Sequence, residues 1–137
     1  EGMTKAKSRK IFVSANPAYV LEQSDPINMK FVWSYEITID NQSTEIVQLL
    51  SRRWIITDTN ARVEEIRGTG VIGMQPLIKP GRRFIYTSYC QLSTPQGTME
   101  GIYEMQNTDE EHFDIVVPKF ILSAPSSITR AFSSKLH

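Results

Sequence analysis

Residues 68–73 read Gly68-Thr69-Gly70-Val71-Ile72-Gly73, which matches the G-x-G-x-x-G spacing of a dinucleotide-binding turn. That chemistry requires a strand before the turn and a helix after it, so that the helix N-terminus meets the pyrophosphate. The downstream run carries Pro76 and Pro80 and cannot form a long helix. No acidic residue stands about 20 positions on to take a ribose hydroxyl; the nearest, Glu100, falls in an expected hairpin. The Rossmann reading therefore fails on context. A less demanding anion site stays open, because successive backbone N–H groups of a glycine turn form a nest without any helix. Arg67, Arg82 and Arg83 are close enough in sequence to donate to a phosphate there. The same glycines would equally serve positive φ or close packing where a wide loop crosses a β-structure.

The remaining reactive side chains are few. Of the histidines, His137 sits in the C-terminal stretch and His112 lies among Asp109, Glu110, Glu111 and Asp114. Asp109, Glu110, His112 and Asp114 are weak candidates for a hard divalent cation bound through oxygens, without the ordered spacing of a calcium loop. A solvated acidic turn explains them equally. A hydrolytic triad lacks a G-x-S-x-G elbow. Cys90 shares the parity of Phe84 and Tyr86, which predicts a buried thiol rather than a nucleophile. Glu100 and Glu104 lie on one strand face, as solvent-facing carboxylates do. Arg52-Arg53 immediately before Trp54 is less ordinary, since an arginine pair within a strand invites a carboxylate or a ligand. No residue set predicts catalysis, and none demands a cofactor.

The elements that would position these residues are strands. From Met29 to Asp40, Met29, Phe31, Trp33, Tyr35, Ile37 and Ile39 alternate with mostly polar partners, the signature of a half-buried antiparallel strand. Residues 11–21 give another strand that Asn16-Pro17 should break or bulge. Residues 45–58 change phase, with Leu49 on one parity and Trp54 and Ile56 on the other, which predicts a β-bulge near 51–53. Shorter runs follow at 62–66, 82–92, 98–106 and 113–122, the last interrupted at Pro118. Residues 68–80 read as loop or edge, and Pro95-Gln96-Gly97 as a hairpin connection. No window carries the apolar spacing of a core-facing helix. Seven or eight strands on short polar turns predict an all-β fold, a two-sheet antiparallel β-sandwich.

Composition narrows the class further. The chain has 137 residues, one domain's worth, with 15 basic and 15 acidic side chains. A balanced charge provides no field for nucleic acid or membrane surfaces. No stretch reaches the roughly 18 apolar residues of a membrane span. One cysteine permits no internal disulfide and fits a reducing compartment. Residues 1–10 are expected to be a disordered N-terminal segment, with Glu1-Gly2 a cloning remnant ahead of Met3; residues 11–125 form the domain and 126–137 a tail.

Taken jointly, several segments resemble the ApaG family. They are Val47-Gln48-Leu49-Leu50-Ser51-Arg52-Arg53-Trp54, the run Gly68 to Gly81 with Gln75-Pro76 and Pro80-Gly81, Phe84-x-Tyr86-x-Ser88, Thr94-Pro95-x-Gly97-x-Met99-x-Gly101-x-Tyr103, and Val117-Pro118-x-Phe120. The resemblance implies a fibronectin type III or immunoglobulin-like sandwich, bacterial and cytoplasmic, without enzymatic activity. It implies a binding or accessory module with an indirect role in Mg²⁺ and Co²⁺ homeostasis through protein contacts. Arg52, Arg53, Gln75 and Pro76 become candidate contact residues, and exposed sheet edges allow a homodimer. Pyrophosphate or dinucleoside-polyphosphate binding at Gly68, Gly70 and Gly73 is one alternative, and direct Mg²⁺ or Co²⁺ binding another. Thr69 and Met74 stand where relatives often carry acidic or polar residues, which counts against a metal in the loop.

Overall fold

The computed structural model describes residues 9–136, so residues 1–8 of the expected N-terminal segment lie outside it. Among the described residues eight strands and one α-helix follow in order, with two 3-10 turns between the first two strands: β1 (Ile11–Tyr19), β2 (Phe31–Asn41), β3 (Val47–Asp58), β4 (Val63–Thr69), β5 (Leu77–Ile78), β6 (Arg83–Leu92), β7 (Gln96–Asn107), β8 (His112–Ser123) and α1 (Ser126–Leu136). One sheet has the order β1-β2-β6; the other has β4-β3-β7-β8, with β5 also on β3, and all described pairings are antiparallel. The sandwich expected from the alternation is the fold observed.

The inner faces supply the core. Phe31, Trp33, Tyr35, Ile37 and Ile39 of β2 are buried together with Met99, Tyr103 and Met105 of β7. Each such side chain contributes roughly 1.5–3 kcal/mol by leaving water. Trp54 reaches its place because Gly101 stands opposite it in the register; a Cβ there would lie 2.7 Å from the indole.

Three local expectations change. Met29 does not extend the β2 alternation: it is exposed and left-handed at φ 56, closing a 3-10 turn over Pro26–Asn28. β1 runs unbroken through Pro17, because β1 is an edge strand with a single partner and the missing N–H can face away from it. Ser126–Leu136, read from sequence as a tail, is a helix. The phase changes, by contrast, are present, the one in β3 slightly ahead of the expected 51–53 and the one in β8 at Pro118. β3 slips its register against β7 between Leu49 and Ser51, and β8 slips between Val117 and Phe120 around Pro118.

The two sides of the sandwich differ. β1 runs close beside β8 and closes one side. On the other, β4 and β6 are the sheet edges and stand apart across a cleft.

Candidate functional site

The bulge in β3 organises everything around the glycine turn. Opposite Leu49 and Leu50, the chain between β4 and β5 loops out and is tied back to the bulge. Leu49 N–H donates to the Pro76 carbonyl at 3.0 Å, and the Leu50 carbonyl accepts Gly70 N–H at 2.8 Å and Gln75 Nε2 at 3.0 Å. Gln75 and Pro76, candidates for contact, are thus engaged in holding the loop. Val71 and Met74 exchange backbone hydrogen bonds of 2.9 and 2.8 Å around Ile72-Gly73, a tight two-residue turn. Gly70 has φ 64 and sits so close to the Met74 carbonyl that a Cβ would lie 2.2 Å from it, so no other residue fits. Ile72, a β-branched residue, holds φ 42 at the turn's apex. That conformation costs of order 1 kcal/mol or more.

The same bulge separates the two arginines. Beyond it, Arg52 shares the inward parity of Trp54 and Ile56, while Arg53 points outward. Arg53 Nε donates to Glu65 Oε2 at 2.5 Å, and Arg67 Nε donates to the same oxygen at 2.7 Å. Arg67 and then Arg53 hold the exposed Glu65 carboxyl below its usual range. This ion network borders a depression of about 470 Å³ on the outer face of the larger sheet, whose floor also includes Ser51, Glu104 and Asp114.

Arg52 turns the other way, into the cleft between β4 and β6. Its guanidinium lies over Gly68, where a Cβ would stand 2.7 Å from Cζ, Nη1 and Nη2. A side chain at Gly68 would push the flexible end of Arg52 aside. Nη1 donates to the Thr69 and Gly70 carbonyls at 3.2 and 2.8 Å. No carboxylate lies within salt-bridge distance of Arg52 among the described residues. Around it the cleft divides into a cavity of about 290 Å³ with Tyr35, Trp54, Thr69, Tyr86 and Ser88, and one of about 360 Å³ that runs on to Glu64, Ile66 and Cys90. Burial raises the Tyr86 phenol to about 12, against a smaller lowering by its hydrogen bond with Tyr103. Burial also raises Cys90 to about 11 and Tyr35 above its ordinary value. These groups hold their protons more tightly than free side chains do.

The other sequence candidates are dispersed. Arg83 forms a 3.7 Å pair with Asp40 in the smaller sheet, and the Arg82 carbonyl accepts Asn41 N–H there; neither is joined to the Gly68–Gly73 turn by any hydrogen bond among the described residues. Asp109 and Glu110 occupy the β7–β8 turn, with Glu110 left-handed at φ 60. His112 Nδ1 lies 3.0 Å from Glu104 Oε2, and that hydrogen bond, with a lesser one from Ser51, lowers the Glu104 carboxyl. Among the described residues no three His, Cys, Asp or Glu side chains gather as metal ligands. The cleft itself escaped sequence reasoning. Its signal was the phase change before Trp54, which carried one step further turns Arg52 inward.

With this geometry in hand, the chain can be set beside known proteins. A model of the ApaG domain matches residues 21–107. Protein ApaG of Mesorhizobium japonicum is 53% identical over 125 residues, covering 91% of this chain and 96% of the relative. Protein ApaG of Thiobacillus denitrificans is 46% identical over 123 residues, covering 90% and 97%. The crystal structure of a Bordetella pertussis protein designated ApaA superimposes with a TM-score of 0.83 at 44% identity, covering 88% of this chain and 98% of that one.

Proposed function

The chain belongs to the ApaG domain family, and from that footing we propose that it is a non-enzymatic module that binds another protein through the turn between β4 and β5. One observation carries the reading. The turn's backbone is tied into β3, while its exposed side chains are apolar: Ile72 is 55%, Met74 48% and Leu77 67% exposed. Apolar side chains held on a rigid, strained turn suit a protein surface and offer little to a phosphate. The free edges of β4 and β6 flank the turn, so a partner strand, including one from a second copy, has somewhere to add.

The effect on Mg²⁺ and Co²⁺ homeostasis would then be indirect, exerted in the cytoplasm through the partner. Among the described residues no helix is long and apolar enough to cross a membrane, so helical transport would be the partner's work. Direct cation binding has less support, since Asp109, Glu110, His112 and Asp114 are not drawn together. The polyphosphate reading is also weaker, since Gly68 is filled by Arg52 and Gly70 N–H is engaged by Leu50.

The test is affinity capture from a lysate of Mesorhizobium japonicum, with the wild-type chain and with Ile72→Asp plus Leu77→Asp. Both substitutions lie on exposed positions and should leave the fold intact. The expected result is a partner retained by the wild type and lost by the variant. A folded variant that retains every wild-type partner would overturn the proposal.

A further inference from the structure

Arg52 is built into the cleft with more donors than the protein uses. Its Nη1 is held by the Thr69 and Gly70 carbonyls, and Gly68 leaves room for the guanidinium face. Nε and Nη2, the edge that grips a carboxylate bidentately, have no acceptor among the described residues. Water reaches this edge, and a ligand carboxylate would exchange that water for a charge-assisted, bidentate pair. From this geometry we infer that the cleft between β4 and β6 is a subsite for one carboxylate of a bound peptide, an Asp or Glu side chain seated on Arg52. The inference rests on the reading of the chain as a protein-binding module and states what the partner must carry.

Charge and size select this occupant. Arg52 supplies one positive charge to the cavity beside Tyr86 and Ser88, and Glu64 lines the adjoining cavity. No acidic residue lines the cavity beside Tyr86 and Ser88, so a monoanion placed there, away from Glu64, balances Arg52, whereas a dianionic phosphate would be under-compensated. The cavity holds about 290 Å³. Small-molecule sites usually run from roughly 300 to 1,000 Å³. A space just below that range suits a single side chain presented by a larger partner, whose neighbouring residues can extend into the adjoining cavity. The unpaired edge of β6 runs along the cleft through Ser88 and Gln91, so an extended peptide could lie along it and turn one carboxylate inward.

The test follows the Arg52 Nε–Hε resonance in the ¹⁵N-labelled chain. The probes are a capped pentapeptide with a central glutamate, the same peptide with glutamine, and inorganic phosphate. The expected result is a saturable shift with the glutamate peptide and binding roughly tenfold weaker with the glutamine peptide. Gly68→Ala keeps the arginine in the sequence but places a methyl where its guanidinium lies, and should weaken binding, though less than Arg52→Gln. An Arg52 resonance that stays still at millimolar peptide overturns the subsite. So does one that responds equally to both peptides, or to phosphate alone. These outcomes are separate from the capture experiment: a silent Arg52 with turn-dependent capture intact removes only the subsite. A responsive Arg52 with capture indifferent to Ile72 and Leu77 removes only the turn.

Discussion

Two arginines mark the difference between the ends of this molecule. Arg9, just ahead of β1, is 10% exposed and fully provided for: Nη1 meets Glu45 at 3.1 Å, Nη2 meets Glu111 at 3.2 Å, and the guanidinium lies 4.0 Å above the Phe113 ring. It ties the start of β1 to the β2–β3 connection and to the β7–β8 turn. Arg52, more exposed, has two carbonyls and, among the described residues, no carboxylate within salt-bridge distance. The first is a finished structural clasp. The second ties the end of β4 through two carbonyls and leaves its other donors facing a cleft. One arginine is thus enclosed by two carboxylates and a ring, and the other is held by two carbonyls at the rim of a cleft.

The widest separation between the two sides should appear in base. The wall of the open side carries Tyr86, raised to about 12 from 10.0, and Cys90, raised to about 11 from 9.0, both chiefly by burial. Because the folded values lie above the unfolded ones, the native state holds these protons more tightly. The stabilisation is complete below the unfolded values and is lost as pH rises through the folded ones. Urea unfolding between pH 8 and 12 should therefore show stability falling by a few kcal/mol, at about 1.4 kcal/mol per pH unit for each group. Cys90→Ser should remove the portion that begins near pH 9. A flat profile would mean that the cleft wall is hydrated and its side chains ordinary.

Much of this architecture is legible in the residues, and the limit is informative. The alternation from Phe31 to Ile39 identifies β2 because one face meets a core and the other water, a purely local condition. The shift of phase between Leu49 and Trp54 marks the β3 bulge for the same reason. What pairs with the bulge is not local. Gly68, Gly70 and Gln75 look like a ligand turn until β4 is laid along β3, when Gly68 falls opposite Arg52 and Gly70 and Gln75 reach the Leu50 carbonyl. Adjacent letters also conceal opposite fates: Arg52 and Arg53 are one cluster in the sequence and two faces in the sheet. Helix α1 is missed although Ile128, Ala131, Phe132 and Leu136 stand at helical spacing, because the segment is short and its four serines make it read as a polar tail; Ile128 packs against the core.

On the closed side the expected cost is intermediate. Arg9→Met keeps the stem's apolar contacts but removes the cation from between Glu45 and Glu111 and from over Phe113. Breaking a buried pair costs about 3–5 kcal/mol, but both glutamates can regain water here, which lowers the figure to about 2 kcal/mol. Arg52→Gln should cost less, about 1 kcal/mol, since it gives up only hydrogen bonds to two carbonyls near solvent. Chemical denaturation of the two variants under one set of conditions measures the contrast. Equal losses would mean that Arg52 is as much a clasp as Arg9, and the cleft would lose its claim to a ligand.

The smallest effect should carry the opposite sign. Ile72 occupies the first central position of a two-residue turn whose second is Gly73, and both have positive φ, 42 and 76. Such turns favour Asn-Gly, because a β-branched side chain clashes with its own backbone there. The Ile72 side chain is exposed and contributes little to the core. Ile72→Asn should therefore stabilise the chain by about 0.5–1 kcal/mol through relief of that strain. Thermal unfolding would read this as a rise of a few degrees. If the turn presents Ile72 to a partner, the same substitution should weaken capture while the fold gains, a trade that a purely structural turn would not make. A variant that is more stable and still captures the partner would leave the strain at Ile72 without a functional reason. A variant that is less stable would show that Ile72 packs more than its exposure suggests, and the contrast between the finished and unfinished sides would then rest on Arg52 alone.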